Sequence, residues 1–268
     1  MMSFLGMSRV GALWLAALTL ATLPVAAPWA ADQPQNDEAM DHLMRMARHL
    51  SELERVSVVL RAGYDVVQES GQKIEFTERR AILLMRPDQL RVDAETSDGE
   101  RSVLVFDDGT LTLMNATDKT YASSAIPGTV DAAITHFVRD QRMRLPLAML
   151  FVTGLPTELE RRLTEAQIVE TTLIGGVSHR HIAARGATVD VQVWLPETGD
   201  PFPQRIILTY KQEAGQPQFW ANFLCWDSSP EPPASAFSLE IPADATRIAF
   251  LTQVRAAQSG APEQGETP

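Results

Sequence analysis

The sequence holds one cysteine, Cys225, so no disulfide can close within the chain. Paired cysteines, H-E-x-x-H and an acidic calcium loop are all absent, which removes the usual signatures of structural zinc, zinc peptidases and EF-hands. There is no G-x-S-x-G, and Cys225 has no histidine partner in its local context, so no nucleophile motif stands out. The stretch "IGGVS" has too few glycines for a phosphate-binding loop and leads into a β pattern, not a helix. Basic residues are scarce: 23 Lys and Arg face 34 Asp and Glu, a net charge of −11. Such a surface argues against sequence-independent nucleic-acid binding and against electrostatic adhesion to an anionic membrane. No internal repeat or linker divides the chain. What remains is a globular composition, 45% hydrophobic and 21% charged over 268 residues.

Arg9 precedes the apolar run "VGALWLAALTLATLPVAA", and the small-residue stretch "AAPWAAD" follows. A positive start, an apolar core and an alanine-rich end describe a cleavable signal peptide, here residues 1–31 with the cut after Ala31. Pro24 ends the run too early for a comfortable membrane span. The leader carries Arg9 and no acid, so its removal leaves 22 basic against 34 acidic residues, or −12. The one cysteine, Cys225, lies far from the leader, so no lipid-acceptor cysteine stands at its end and the expected product is a periplasmic protein without a lipid anchor. An oxidising compartment permits disulfides without requiring them, and this length can bury a core unaided. Cys225 alternates with aromatics in "FWANFLCWD", which predicts a buried apolar thiol.

In "NDEAMDHLMRMARHLSEL", Ala39, Leu43, Met46, Leu50 and Leu53 recur at steps of three or four, predicting a helix capped by Asn36 or Asp37. Period two follows. Val56, Val58, Leu60, Ala62, Tyr64 and Val66 share one face of a strand, and "KIEFTERRAILLM", "QLRVDAE", "RSVLVF" and "TLTLMN" continue the pattern. Asp108-Gly109 between β-rich runs marks a hairpin. "GTVDAAITHFVRDQ" returns to helical spacing with Thr129 as cap, and "RLPLAMLF" and "LPTELERRLTEAQ" predict two short helices begun near prolines. Strands resume through "IVETTLIGGVSHRHIAAR", "TVDVQVWLP", "QRIILTYKQ" and "FWANFLCWD". "SSPEPPASA" reads as a loop and "FSLEIP" as a last short strand, before a polar, disordered tail over 254–268. Residues 32–253 are expected to form one domain.

His179 and His181 stand two apart on a strand, so both side chains point to one face. Two ligands do not make a zinc site, and no spacing ties Asp190, His136 or His49 to them; the pair reads as polar residues on a sheet. "NAT" at Asn115 matches a glycosylation sequon but reads as a turn, as do Asp107 and Asp108. The residues give no positive reason to propose an enzyme, a metal or a cofactor.

"RPDQLRVDAETSDGERSVLVFDDGTLTLMNATDKTYA" places an Arg-Pro after one strand, then a strand, an Asp-Gly hairpin and "YA". This arrangement resembles the lipoprotein-carrier (LolA-like) superfamily. More closely, with "LPLAMLF", "IGGVSHRHIA", "DVQVWLPETGDPFPQRIILTYK" and "QFWANFLCWD" in order, the chain is similar to a family of predicted periplasmic proteins within it, from about Ala39 to Phe250. The resemblance implies an α+β fold, a curved antiparallel β half-barrel with an N-terminal helix and short helices covering the concave face. It implies an apolar cavity beneath those helices and places Arg86, of the Arg-Pro motif, against the lid. On that reading the wall comprises Val58, Leu60, Leu84, Leu104 and Leu113, and the lid Ile134, Phe137, Leu147 and Leu150. "AILLM", "VLVF" and "RIIL" are apolar on both faces, so they need cover on both faces or a ligand. The expectation is a non-catalytic periplasmic protein binding an apolar ligand, a lipid or lipidated protein. The alternatives are an envelope sensor that binds a partner protein without lipid, and a metal enzyme using His179 and His181. The sequence sets no oligomeric state.

Overall fold

Alternation of apolar and polar residues shapes most of the chain. The computed structural model describes residues 33–140 and 145–250; the expected leader and tail lie outside them. α1 (Gln33–Glu52) leads into β1 (Arg55–Val67), β2 (Lys73–Met85), β3 (Gln89–Thr96), β4 (Arg101–Asp107), β5 (Thr110–Asn115) and β6 (Thr120–Ala125). α2 (Val130–Thr135) continues as a π-helical turn over His136–Asp140. A 3-10 turn (Ala148–Phe151) and α3 (Leu155–Arg162) then precede β7 (Leu163–Ile174), β8 (Val177–Gly186), β9 (Val189–Pro196), β10 (Arg205–Tyr210) and β11 (Gln218–Asp227). A second 3-10 turn (Ala234–Phe237) and a two-residue β12 (Thr246–Arg247) close the described chain.

Among the described residues, twelve strands form one sheet in the order β12-β6-β5-β4-β3-β2-β1-β11-β10-β9-β8-β7. The pairings are antiparallel except β12 on β6. The outermost strands, β12 and β7, do not meet, so this is an open, curved half-barrel. Asp108 and Gly109 take φ of 41° and 72°, the mirror-image turn that matches strand twist. Bulges bend the sheet further, one where Leu224 slips out between Val59 and Leu60, and two between β7 and β8.

The helices lie on the concave side. Ala39, Leu43, Met46, Ala47 and Leu50 form the buried stripe of α1 and join Val56, Val58, Leu60 and Ala62 of β1 in one hydrophobic cluster. α1 packs beside β7 and α3, so it fills the half of the trough under β1 and β7–β11. The short helices between β6 and β7 cover the other half.

Several expectations need correcting. α1 begins before Asn36, so neither Asn36 nor Asp37 caps it; Asn36 Oδ1 instead accepts the Ala166 amide of β7 at 2.6 Å. "LTEAQ" is strand, not helix. α3 stops where Arg161 and Arg162 close on Glu158 at 2.6 and 2.8 Å, and Leu163 is already extended to pair with Gly186. "RLPLAMLF" yields only the 3-10 turn, entered through Leu147 at φ 69°. β6, "TYASSA", has no apolar alternation to announce it; it exists because β5 offers an edge. "FSLEIP" forms no strand, because Thr246 and Arg247 take that outer edge of β6. Cys225 is exposed, not buried: opposite Val59 it faces the convex side, where no described residue covers it.

Gly63 of β1 sits under the Trp220 indole, where a Cβ would come within 2.5–2.6 Å of three ring atoms. Gly63→Ala is expected to cost about 1–3 kcal/mol by overpacking. In a Trp220→Leu background the same change should cost much less; urea titrations of the four proteins test this, and simple additivity would contradict the contact.

Candidate functional site

In-facing residues of β2 to β5 stand opposite one another in rows. The lowest row is Leu84, Leu90, Phe106 and Leu111; the next is Ile82, Val92, Leu104 and Leu113. Above them the rows turn polar: Arg80, Ala94 and Ser102, then Glu78 beside Thr96. Because side chains alternate along a strand, the charges at Glu78 and Arg80 share the face of Ile82 and Leu84.

Over these rows lie Val130, Ala133, Ile134 and Phe137, with Leu145–Ala148 and Phe151 beyond. Between wall and roof is a cavity of about 600 Å³. Tyr64, Tyr210 and Phe219 bound it on the β1 and β11 side, and Phe250 approaches from the far side with its ring 5.5 Å from that of Phe137. The lower rows are enclosed, while Glu78, Arg80, Thr96 and Ser102 stand at the strand ends where the cavity meets solvent. Beyond that mouth, Ile74 and Phe76 continue the same face into the open.

Arg86 fastens the roof to the sheet. Its Nε donates to Leu53 O at 2.8 Å and its Nη1 to Asp131 Oδ1 of α2 at 3.1 Å. The other Asp131 oxygen accepts from the Thr153 amide at 2.8 Å and from its hydroxyl. The Val130 amide donates to Pro87 O at 2.8 Å, and Thr129 caps α2 through the Ala132 amide. Burial pushes the Arg86 guanidinium below its ordinary value, against the pull of Asp131. At the mouth, Glu78 and Arg80 pair at 2.5 Å. Burial, and then the Glu78 carboxylate, push the Tyr64 phenol up.

Of the residues expected at the cavity, Leu104, Leu113, Ile134, Phe137 and Leu147 line it. Val58, Leu60, Leu84 and Leu150 do not. They are buried in the solid core, Val58 and Leu60 with the α1 stripe and Leu150 on the turn that packs beside α1. The α1 side chains occupy the space that a ligand would need there. Leu90, Val92 and the polar rows went unassigned from sequence, although "TERRAILLM" holds the signal: Glu78 and Arg80 fall in phase with Ile82 and Leu84.

Of the runs apolar on both faces, "VLVF" finds its second cover in protein. The turn Ala234–Phe237 lies over the convex side of β3 and β4, held by Arg91 Nη1 to Ala236 O at 3.0 Å, and Val105 and Phe237 are buried. His179 and His181 also lie on the convex side, away from the cavity. His179 Nδ1 meets Val177 O at 2.8 Å, and His181 stacks on Trp194 at 4.0 Å with its Nε2 against Gln192 Oε1. Among the described residues no three or more His, Cys, Asp or Glu gather to hold a metal ion. Asn115 is a turn residue whose Oδ1 accepts the Thr117 and Asp118 amides. No described helix is long and apolar enough to cross a membrane.

Residues 39–251 match the sequence profile of the family described as predicted periplasmic protein (DUF2092). No curated protein matches significantly. Among solved structures, the lipoprotein LppX of Mycobacterium tuberculosis is similar at 12% identity and a TM-score of 0.46, over 73% of this chain and 98% of that one. A LolA superfamily protein from Nitrosomonas europaea is similar at 10% identity and 0.37, over 75% and 97%. The MucA/MucB complex of Pseudomonas aeruginosa gives 16% identity and 0.41, over 76% of this chain and 61% of that one.

If Arg86 ties α2 to the sheet, Arg86→Gln should lower stability by about 1–3 kcal/mol in urea unfolding. It should also speed amide exchange across Val130–Thr135 more than in β1. Equal exchange at α2 in both proteins would contradict the tie.

Proposed function

The chain belongs to the DUF2092 family of predicted periplasmic proteins, and on that premise we propose that it is a non-catalytic binding protein for an apolar ligand, the acyl part of a lipid or lipoprotein. It reaches the periplasm by a cleaved leader and works there without a lipid anchor of its own. The observation that carries this reading is the 600 Å³ cavity with apolar depths and a polar mouth. That volume lies within the range of small-molecule sites, about 300–1,000 Å³.

An acyl chain suits this shape. Removing it from water gains about 0.8 kcal/mol per methylene. A chain of about sixteen carbons therefore gains on the order of 10 kcal/mol before ordering costs are subtracted. The lower rows supply that environment without polar atoms that a chain would leave unpaired. Non-catalytic binding is also favoured by the engagement of the histidines on the convex face, away from the cavity.

Native mass spectrometry of gently purified protein should find adducts of lipid mass, and an environment-sensitive apolar dye should compete with them. Val92→Trp and Leu104→Trp, each adding bulk to the wall, should cut dye affinity by about tenfold or more, a change of about 1.4 kcal/mol. A bare chain that also ignores the dye, or unchanged dye binding in both variants, would overturn the proposal.

A further inference from the structure

The mouth of the cavity has a chemistry of its own. Glu78 and Arg80 sit two positions apart on β2, in phase with the apolar residues below them. Their side chains are only 10% and 24% exposed. Withdrawing two charges from water is costly, and a wall serving packing alone would often be at least as stable with apolar residues there. Asp65, the other charged residue at this wall, is out of phase, and its carboxylate accepts the Gln218 amide at 2.9 Å.

The sign of the field follows from the neighbours. The turn joining β3 to β4, between the wall residues Thr96 and Ser102, carries Asp98, which accepts from the Thr96 hydroxyl, and Glu100, which accepts from Asn115 Nδ2. In the lining itself Asp65 and Glu78 stand with the single guanidinium of Arg80, Lys73 lying 3.8 Å from Asp65, and Asp98 and Glu100 add negative charge nearby. The Tyr64 phenol registers this balance: burial pushes it up first, then Glu78, with Asp98 and Glu100 adding and Arg80 opposing. An anionic polar end placed here meets net repulsion. A polar end with both signs meets a partner for each, phosphate at Arg80 and ammonium at Glu78.

We propose that this mouth is a headgroup subsite, and that the ligand is a zwitterionic phospholipid of the phosphoethanolamine class, seated with its chains in the apolar rows. The inference rests on the lipid-binding reading above and adds which lipid is held. A primary ammonium donates hydrogen bonds to the Glu78 carboxylate, whereas a trimethylammonium has no N–H to give. The subsite therefore also separates phosphoethanolamine from phosphocholine.

The test offers the full mature chain equal amounts of palmitoyl-oleoyl phosphatidylethanolamine, phosphatidylglycerol and phosphatidylcholine in detergent micelles. Adduct ratios are read by native mass spectrometry, and an apolar dye is titrated in parallel. Phosphatidylethanolamine should exceed phosphatidylglycerol by about tenfold, the scale of one charge-assisted hydrogen bond, and should exceed phosphatidylcholine by less. Glu78→Gln should bring the ethanolamine-to-glycerol ratio close to one, and Glu78→Lys should turn it in favour of phosphatidylglycerol. A ratio does not depend on how much lipid a variant holds, so a weakened variant remains informative. Dye binding with equal uptake of the three lipids would overturn the headgroup subsite and leave the cavity function standing. Failure to bind dye and all three lipids would remove both.

Discussion

Residues that alternate along a strand can face a water-poor space only if every neighbouring strand keeps the same register, and the cavity depends on that condition. From β2 to β5, Ile82, Val92, Leu104 and Leu113 stand opposite one another, as do Leu84, Leu90, Phe106 and Leu111. A slip of one residue in β2 would send Ile82 and Leu84 outward and bring Leu83 and Ala81 inward. Each large apolar side chain lost from cover costs roughly 1.5–3 kcal/mol, so the register is strongly specified. The Asp108-Gly109 turn holds β4 and β5 to it from one end.

The trough divides by what fills it. Under β1 and β7–β11 the stripe of α1 closes against the sheet, and Val58 and Leu60 are almost wholly buried. Under β2–β5 the cover is shorter: a six-residue helix, a π-helical turn and a four-residue 3-10 turn. Elements so short cannot present a continuous apolar stripe, and the gap beneath them is the cavity. The roof holds its place through Arg86, which bridges the end of α1, the start of the β2–β3 connection and Asp131 of α2. Fold and candidate site thus meet in one side chain.

The convex side answers a different need. On β4 the outward Val105 is buried, and the loop around Ala234–Phe237 lies over that side. Farther along, His181 stacks on Trp194, and Arg205 lies 5.7 Å from the Trp194 ring and 5.5 Å from the Trp220 ring. The two histidines that share a strand face therefore serve the outer surface of the sheet and not the cavity chemistry.

Alternation, the Asp-Gly turn and the helical spacing from Ala39 to Leu50 determined the strands, their antiparallel pairing and α1, because each depends on neighbours a few residues apart. The order of motifs pointed to the curved half-barrel and to the contact between Arg86 and the roof. Period two also singled out in-facing residues, including Leu104 and Leu113, but could not separate a wall from a core. Val58, Leu60 and Leu84 carry the same pattern and are filled against, since that distinction is made by α1 and the short helices arriving from far along the chain. The exposure of Cys225, the edge that admits β6 and β12, and the gathering of Glu78, Arg80 and Tyr64 at one opening were likewise decided only in three dimensions. Each arises from contacts between distant segments, which local spacing does not encode.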